Sequence, residues 1–443
     1  MVRRKFLKLS SLAAMGWIVS PNLISCAKNT LFDNPNYKGK VLIIGAGAAG
    51  LYAGYLLQSL GIDFQILEAR NNHGGRLGKL EGFANFPIDL GAQWLHGNNN
   101  ILADLVKKSK TKVTNDQSEM SYWFQNQIVQ SLPKNVEIFD NEGLPDISFE
   151  AYALQQGLGE EYKYIIESLA GDQGADASEI SAYWNHKEEE NWVSGDDDFK
   201  FEESYFDFIN KNIAQPILSK IQLNSPIDQI NYTTDKIQLK LSSGTILEAD
   251  KVIVTVPISI LKLNEITFIP SLSQSKTQAF QKIGMGAGMK VFMKFSTKFF
   301  DQNITGGHIC AAYADDSVGK AVDDNVLLAF VMGEQAEYLT SLGSDTAITT
   351  ALLQELDTMY NGQATLNFLS GVVFDWTKEP FIKGAYSFST VNMGDARLIA
   401  AQSVDNKLFF AGEAMNINGH HQTVQGAVES AYKAVNDLIL NLK

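Results

Sequence analysis

The chain has 443 residues, enough for two or three domains, and its 45% apolar content supports full-sized cores. A net charge of −14, from 36 basic and 50 acidic side chains, argues against nucleic acid as a partner and would draw cations to the surface. Its only cysteines, Cys26 and Cys310, exclude a disulfide framework.

The first segment reads as an address. Arg3-Arg4-Lys5-Phe6-Leu7-Lys8 is a twin-arginine n-region. The apolar stretch 9–24 is short and broken by Pro21, which fits a signal h-region rather than a spanning helix. It ends Leu23-Ile24-Ser25-Cys26, similar to a bacterial lipoprotein box with Cys26 as the lipidated residue. The expectation is a signal peptide over 1–26, a polar tether over 27–38, and an exported chain in the periplasm or cell envelope. A lipid at Cys26 would be its only hold on the membrane.

Next comes Val41-Leu-Ile-Ile-Gly45-Ala-Gly47-Ala-Ala-Gly50, a buried strand running into three glycines. A helix over 51–60 follows, stopped by Gly61, and a second strand over 62–67 ends on Glu68. Gly45 permits the tight turn, Gly47 lets backbone approach a pyrophosphate, and Gly50 lets the helix pack on the strand. The helix N-terminus offers free N–H groups to phosphate, and Glu68 can accept from ribose hydroxyls. This is a dinucleotide site.

Farther on stand Gly74-Gly75-Arg76-Leu77, where Arg76 is placed to pair with phosphate, and Asp89-Leu-Gly91-Ala-Gln-Trp94-Leu-His96-Gly97. Residues 101–215 mix helices with a charged run over 188–203 around Trp192, read as a solvated loop or as an acidic mouth that steers polycations. The stretches 227–232, 237–241 and 245–247 alternate as strands, and 252–256 is a short buried one. In Gly286-Ala-Gly-Met-Lys290-Val-Phe-Met-Lys-Phe295, alternation turns Lys290 away from Met289 and Val291. Then come Trp376, Gly384-Ala385-Tyr386-Ser387, Leu408-Phe-Phe-Ala-Gly412-Glu413, and a last helix over 423–442. Its apolar face includes Val424, Ala427, Val428, Ala431, Val435 and Leu438. The histidines show no metal spacing.

These blocks resemble the FAD-dependent flavin amine oxidase superfamily, closest in motif to the polyamine (spermine and acetylpolyamine) oxidases. The resemblance implies an α/β fold, α+β in part. A Rossmann-like FAD-binding domain over 39–100, 216–292 and 372–443 would interleave with a substrate-binding domain of mixed sheet and helices over 101–215 and 293–371. It implies cofactor contacts at Gly45, Gly47, Ala49, Gly50, Glu68, Ala69, Arg70, Gly75 and Arg76. Further contacts fall along Gly91, Ala92, Gln93 and Trp94, at Ile227 beside the adenine, and at Trp376, Gly412, Glu413 and Val424. Lys290 matches a lysine that holds a water against flavin N5. Tyr386 and Thr423 match the walls that flank the amine, and His96 a histidine at the substrate cleft. Monoamine oxidases carry a flavin-bonded cysteine at the position of Ala385, so FAD here is expected to be non-covalent.

The implied reaction takes hydride from the α-carbon of an amine, first of all a polyamine, to flavin N5. O2 then yields hydrogen peroxide, and the imine hydrolyses. The alternatives are an L-amino-acid oxidase or a monoamine oxidase, and beyond them an FAD-dependent desaturase or isomerase of a non-amine. An amino-acid oxidase needs an arginine for the substrate carboxylate; Arg397 is a candidate without a motif. A lysine demethylase is disfavoured, because the chain has no long coiled-coil insertion and carries an export signal.

Overall fold

The structure is a computed structural model that describes residues 36–321 and 324–442. The expected leader, Cys26 and most of the tether lie outside the described residues.

The strand over Lys40–Ile44 is central to a five-stranded parallel sheet. Across the sheet the order is Ile221–Gln222, Asp63–Leu67, Lys40–Ile44, Lys251–Val254 and Leu408–Phe410. Unbroken apolar runs such as Val41 to Ile44 belong to such a sheet, because both of its faces are covered. One face carries the helices Ala48–Ser59 and Val424–Leu440, which pack on each other. All six apolar positions expected on the last helix are buried there. Its start at Val424, with Thr423 as N-cap, matches the expected 423 closely. The other face buries Leu42 and Val252 against a four-stranded sheet, in which Ile227–Asn231, Ile237–Leu241 and Ile246–Ala249 run antiparallel and Thr267–Ile269 adds a parallel edge.

A second sheet has seven strands, in the order Phe368–Asp375, Gly288–Phe295, Val326–Met332, Ala312–Asp315, Asn303–Thr305, Met120–Phe124 and Gln127–Val129. Gly288–Phe295 is paired along both edges. Met289, Val291, Met293 and Phe295 enter the core under the helices Gly333–Ser341 and Asp345–Met359. Lys290 therefore faces the opposite side, as alternation predicts.

Two expectations change. The expected domain boundaries at 292/293 and 371/372 fall inside the strands Gly288–Phe295 and Phe368–Asp375, since one sheet runs through both. Residues 101–109 and 205–214, assigned by position to the substrate domain, bury Leu102, Val106, Phe208 and Ile213 in the nucleotide-side core. The charged run 188–203 is not simply a loop. Glu188 lies in the last turn of the helix Ala182–Glu189, and Asp198–Phe201 is a strand pairing with Trp94–His96 and Val113–Asn115. Two of its acids turn inward, Glu188 to meet the buried Arg397 and Asp198 to meet the partly buried ring of His96.

Candidate active site

A cavity of about 360 Å³ opens at the carboxyl end of the parallel strands, where such sheets bind ligands. Every cofactor contact expected from sequence lines it except Gly50. Gly50 instead serves packing, since a Cβ there would sit 1.9 Å from the Gly45 carbonyl oxygen and keep the helix from meeting the turn. Gly45 itself has φ +102, a conformation that side chains resist. At Gly47 a Cβ would meet nothing nearer than Gly75 Cα at 3.8 Å, so the floor beside the helix N-terminus is open to a bound group.

Glu68 is buried at the end of its strand. One oxygen accepts from the Ala46 N–H at 2.6 Å, the other from the Arg70 N–H at 2.9 Å. Burial pushes its carboxyl up, and these amides counter the shift. A carboxylate has lone pairs to spare for a ribose hydroxyl. Farther in, Arg76 Nη1 donates to the Ala385 carbonyl at 2.8 Å and to Glu413 Oε1 at 2.9 Å. Glu413 also accepts from Ser387 Oγ at 2.6 Å and Gln422 N–H at 3.0 Å. Burial alone would raise Glu413, but Arg76, Ser387 and Arg397 hold it below the usual range. Val424 stands in the first helical turn, where N–H groups have no intrahelical partner and the dipole is positive. An open glycine floor, a buried acid at the ribose position and a helix N-terminus at the far end together fit FAD.

Lys290 lines the same cavity and is buried. Its ammonium donates to the carbonyls of Asp89 at 3.1 Å and Gly91 at 2.7 Å, and to Gln93 Oε1. Burial pushes it down from the ordinary lysine range, while Asp316 and Asp89 hold it up. The Gln93 amide, expected along the cofactor, is instead engaged with Lys290 and Asp316, so its backbone is the part left to face a flavin. Trp94 donates to Asp116 at 2.9 Å, and both Lys290 and Lys200 stand 5.5 Å from its ring.

His96 Nδ1 meets Asp198 Oδ1, and its ring stands edge-on to Trp192. Tyr386 donates to the carbonyls of Gly171 and Asp172, both at 3.1 Å. Its ring packs where a Cβ on Gly174 would intrude to 2.5 Å. Thr423 lines the cavity, but its hydroxyl is committed: it donates to the His420 carbonyl at 2.7 Å and caps Gly426 N–H at 3.0 Å. It is a wall rather than a hydrogen-bonding group. Trp376 is pinned through Nε1 to the Leu90 carbonyl at 2.9 Å. Arg397 does not line the cavity. Buried behind Glu413, it pairs with Glu188 at 2.6 Å and donates to Ser387 Oγ and the Ala414 carbonyl.

Sequence reasoning missed Asp172, Phe330 and Met332, which line the cavity from segments without a motif, and Gln422, which stands next to Thr423. It also missed Asp198 and Asp316. For Asp198 a signal existed: Phe199-Lys200-Phe201 alternates like a strand, but the acids before it drew the reading toward a loop.

Comparison with known proteins agrees with this geometry. A sequence profile described as "Flavin containing amine oxidoreductase" matches residues 48–197 and 208–439. The human protein named lysine-specific histone demethylase 2 is 28% identical over 94% of this chain, which spans only 55% of that protein's length. Polyamine oxidase 4 of Oryza sativa subsp. japonica is 25% identical, with 90% of this chain and 88% of that one covered. A wild-type putrescine oxidase bound to putrescine superposes with a TM-score of 0.77 at 20% identity, covering 91% of this chain and 99% of that chain, a likeness of fold.

Proposed function

The chain belongs to the flavin containing amine oxidoreductases, and we propose that it oxidises a polyamine at the carbon next to a neutral amine nitrogen. The observation that carries the substrate class is the makeup of the cavity. The only arginines among the described lining residues are Arg70 and Arg76. Arg70 is engaged with the Gly75 carbonyl and Glu379, and Arg76 with Ala385 and Glu413. Arg397 is spent on Glu188 behind the site. A substrate carboxylate finds no arginine free to receive it, which disfavours an amino acid. A polyamine requires none, and polyamine and putrescine oxidases are among the chain's relatives and structural likenesses.

FAD, when bound, supplies the hydride acceptor and returns the electrons to oxygen. The chain's own residues do the rest. Gly45, Gly47 and Gly75 admit the phosphates, and Glu68 receives the ribose. The first turn of Val424–Leu440 favours negative charge at the opposite end. His96 accepts the ammonium proton on Nε2, so the amine is neutral when it reacts. The Tyr386 ring gives the substrate an aromatic face. Phe330 and Met332 exclude water. Ala385 has no nucleophile, so the cofactor is held without a covalent bond, and acid precipitation should leave it in the supernatant.

The test is peroxide release, followed with a coupled peroxidase after spermidine or spermine is added in air. A desaturase or isomerase acting on a non-amine gives none. We also infer export and lipid anchoring from Arg3-Arg4 and Cys26. Metabolic labelling with a radiolabelled fatty acid should mark the wild type and not Cys26→Ser.

A further inference from the structure

Lys290 Nζ has three acceptors, the carbonyls of Asp89 and Gly91 and Gln93 Oε1. Three is the full donor set of an ammonium; a neutral amine would turn its lone pair toward one of these oxygens. Among the described residues no carboxylate pairs with Lys290 directly. The nearest link to a negative charge runs through Gln93, whose Nε2 donates to Asp316 Oδ1 at 3.1 Å. The polarity of that amide is fixed by its partners, since an ammonium only donates and a carboxylate only accepts. Asp316 is buried, and its Oδ2 has no hydrogen-bond partner. Its charge is answered on one side only, by the Gln93 amide.

The other charges around Lys290 each face a further partner. Asp89 accepts from the Tyr205 N–H at 3.0 Å and faces Lys320 at 3.7 Å. Lys320 also donates to the carbonyls of Phe201 and Glu203. Lys200 donates to the Asp315 carbonyl and faces Asp116 at 3.8 Å. Asp89 is thus shared between Lys290 and Lys320, whereas the charge of Asp316 reaches Lys290 through Gln93.

We propose that Gln93 and Asp316 are positioning residues for Lys290. Gln93 pins the ammonium beside the cofactor wall and transmits the charge of Asp316, so the pair keeps Lys290 protonated there. This rests on the FAD site but not on the identity of the amine, and its test uses no amine.

The measurement is the reduction potential of the bound flavin against pH in the holoenzyme, by dye equilibration, with FAD content recorded for each variant. A cation at the cavity wall that loses its proton changes the slope of that profile. The wild type should show a break that Lys290→Met abolishes. Asp316→Asn should move the break to lower pH by about one unit, because it removes a charge that favours the ammonium. Gln93→Met should move it the same way, and Asp316→Asn added to Gln93→Met should move it little further. Asp316→Glu should restore most of the wild-type profile. If Asp316→Asn fails to retain FAD, Gln93→Met alone decides. A break that stays put or moves upward in Gln93→Met or Asp316→Asn overturns the proposal, as does a wild-type profile with no break dependent on Lys290.

Discussion

His96 Nδ1 lies 2.7 Å from Asp198 Oδ1, across a pairing of the strands Trp94–His96 and Asp198–Phe201. The carboxylate only accepts, so Nδ1 carries a proton, and in the neutral ring Nε2 keeps its lone pair. The histidine backbone is fixed as well. Its carbonyl accepts from Ser194 at 2.7 Å, Gln425 at 2.9 Å and Asn100 at 3.0 Å. Asn100 also caps the next helix through Leu102 and Ala103. The proposed role of His96 as proton acceptor requires such an orientation before the amine arrives. Asp198→Asn should lower kcat/KM by about 10²-fold, the low end of what a positioned base supplies, while the flavin spectrum stays unchanged. Stopped-flow reduction at several pH values checks it.

The two inner glycines should separate in their effects. Gly47→Ala places a methyl in open cavity floor, 3.8 Å from Gly75 Cα. The protein should fold, with near-native melting of the apoprotein, but retain little FAD. Gly50→Ala drives a methyl to 1.9 Å from a backbone oxygen, and should fail to fold. Flavin-to-protein absorbance ratios and soluble yield distinguish them.

Arg397 holds structure rather than substrate. Arg397→Met leaves Glu188 without its arginine, facing only Ser389 and, at 3.3 Å, His421. Breaking a buried pair from one side costs about 3–5 kcal/mol, so the melting temperature should fall steeply. The KM for a polyamine, measured below that temperature, should stay within a few-fold.

Asp176 predicts a pH effect on stability. Burial, with help from Glu167, Glu179 and Glu334, pushes its carboxyl from 3.8 up to about 7. The folded state therefore holds this proton more tightly than the unfolded chain. The stabilisation is complete below about pH 4 and is lost as pH rises through about 7. Asp176→Asn keeps an acceptor for the Glu334 N–H but should flatten the melting-temperature profile over that window.

The local parts of this site were readable in the sequence, because local spacing encodes them. The strand-turn-helix of Val41 to Gly50, the acid at Glu68, the face of the last helix and the inward turn of Lys290 each follow from short-range spacing, much of it with periods of 2 or 3.6. The partnerships were not readable. Gln93 and Asp316 are 223 positions apart, His96 and Asp198 are 102 apart, and nothing in either segment says which loop it will meet. The charged run at 188–203 misled for a related reason. Acids usually mark a solvated surface, and only the fold reveals that Arg397 and His96 wait for Glu188 and Asp198.

Amine oxidation without a carboxylate site is tested most directly by mixing anaerobic holoenzyme with spermidine, spermine, a monoamine or an amino acid and following the flavin absorbance. Rapid bleaching by a polyamine, with none by the amino acid at the same concentration, is the expected result. Bleaching by the amino acid alone would contradict it.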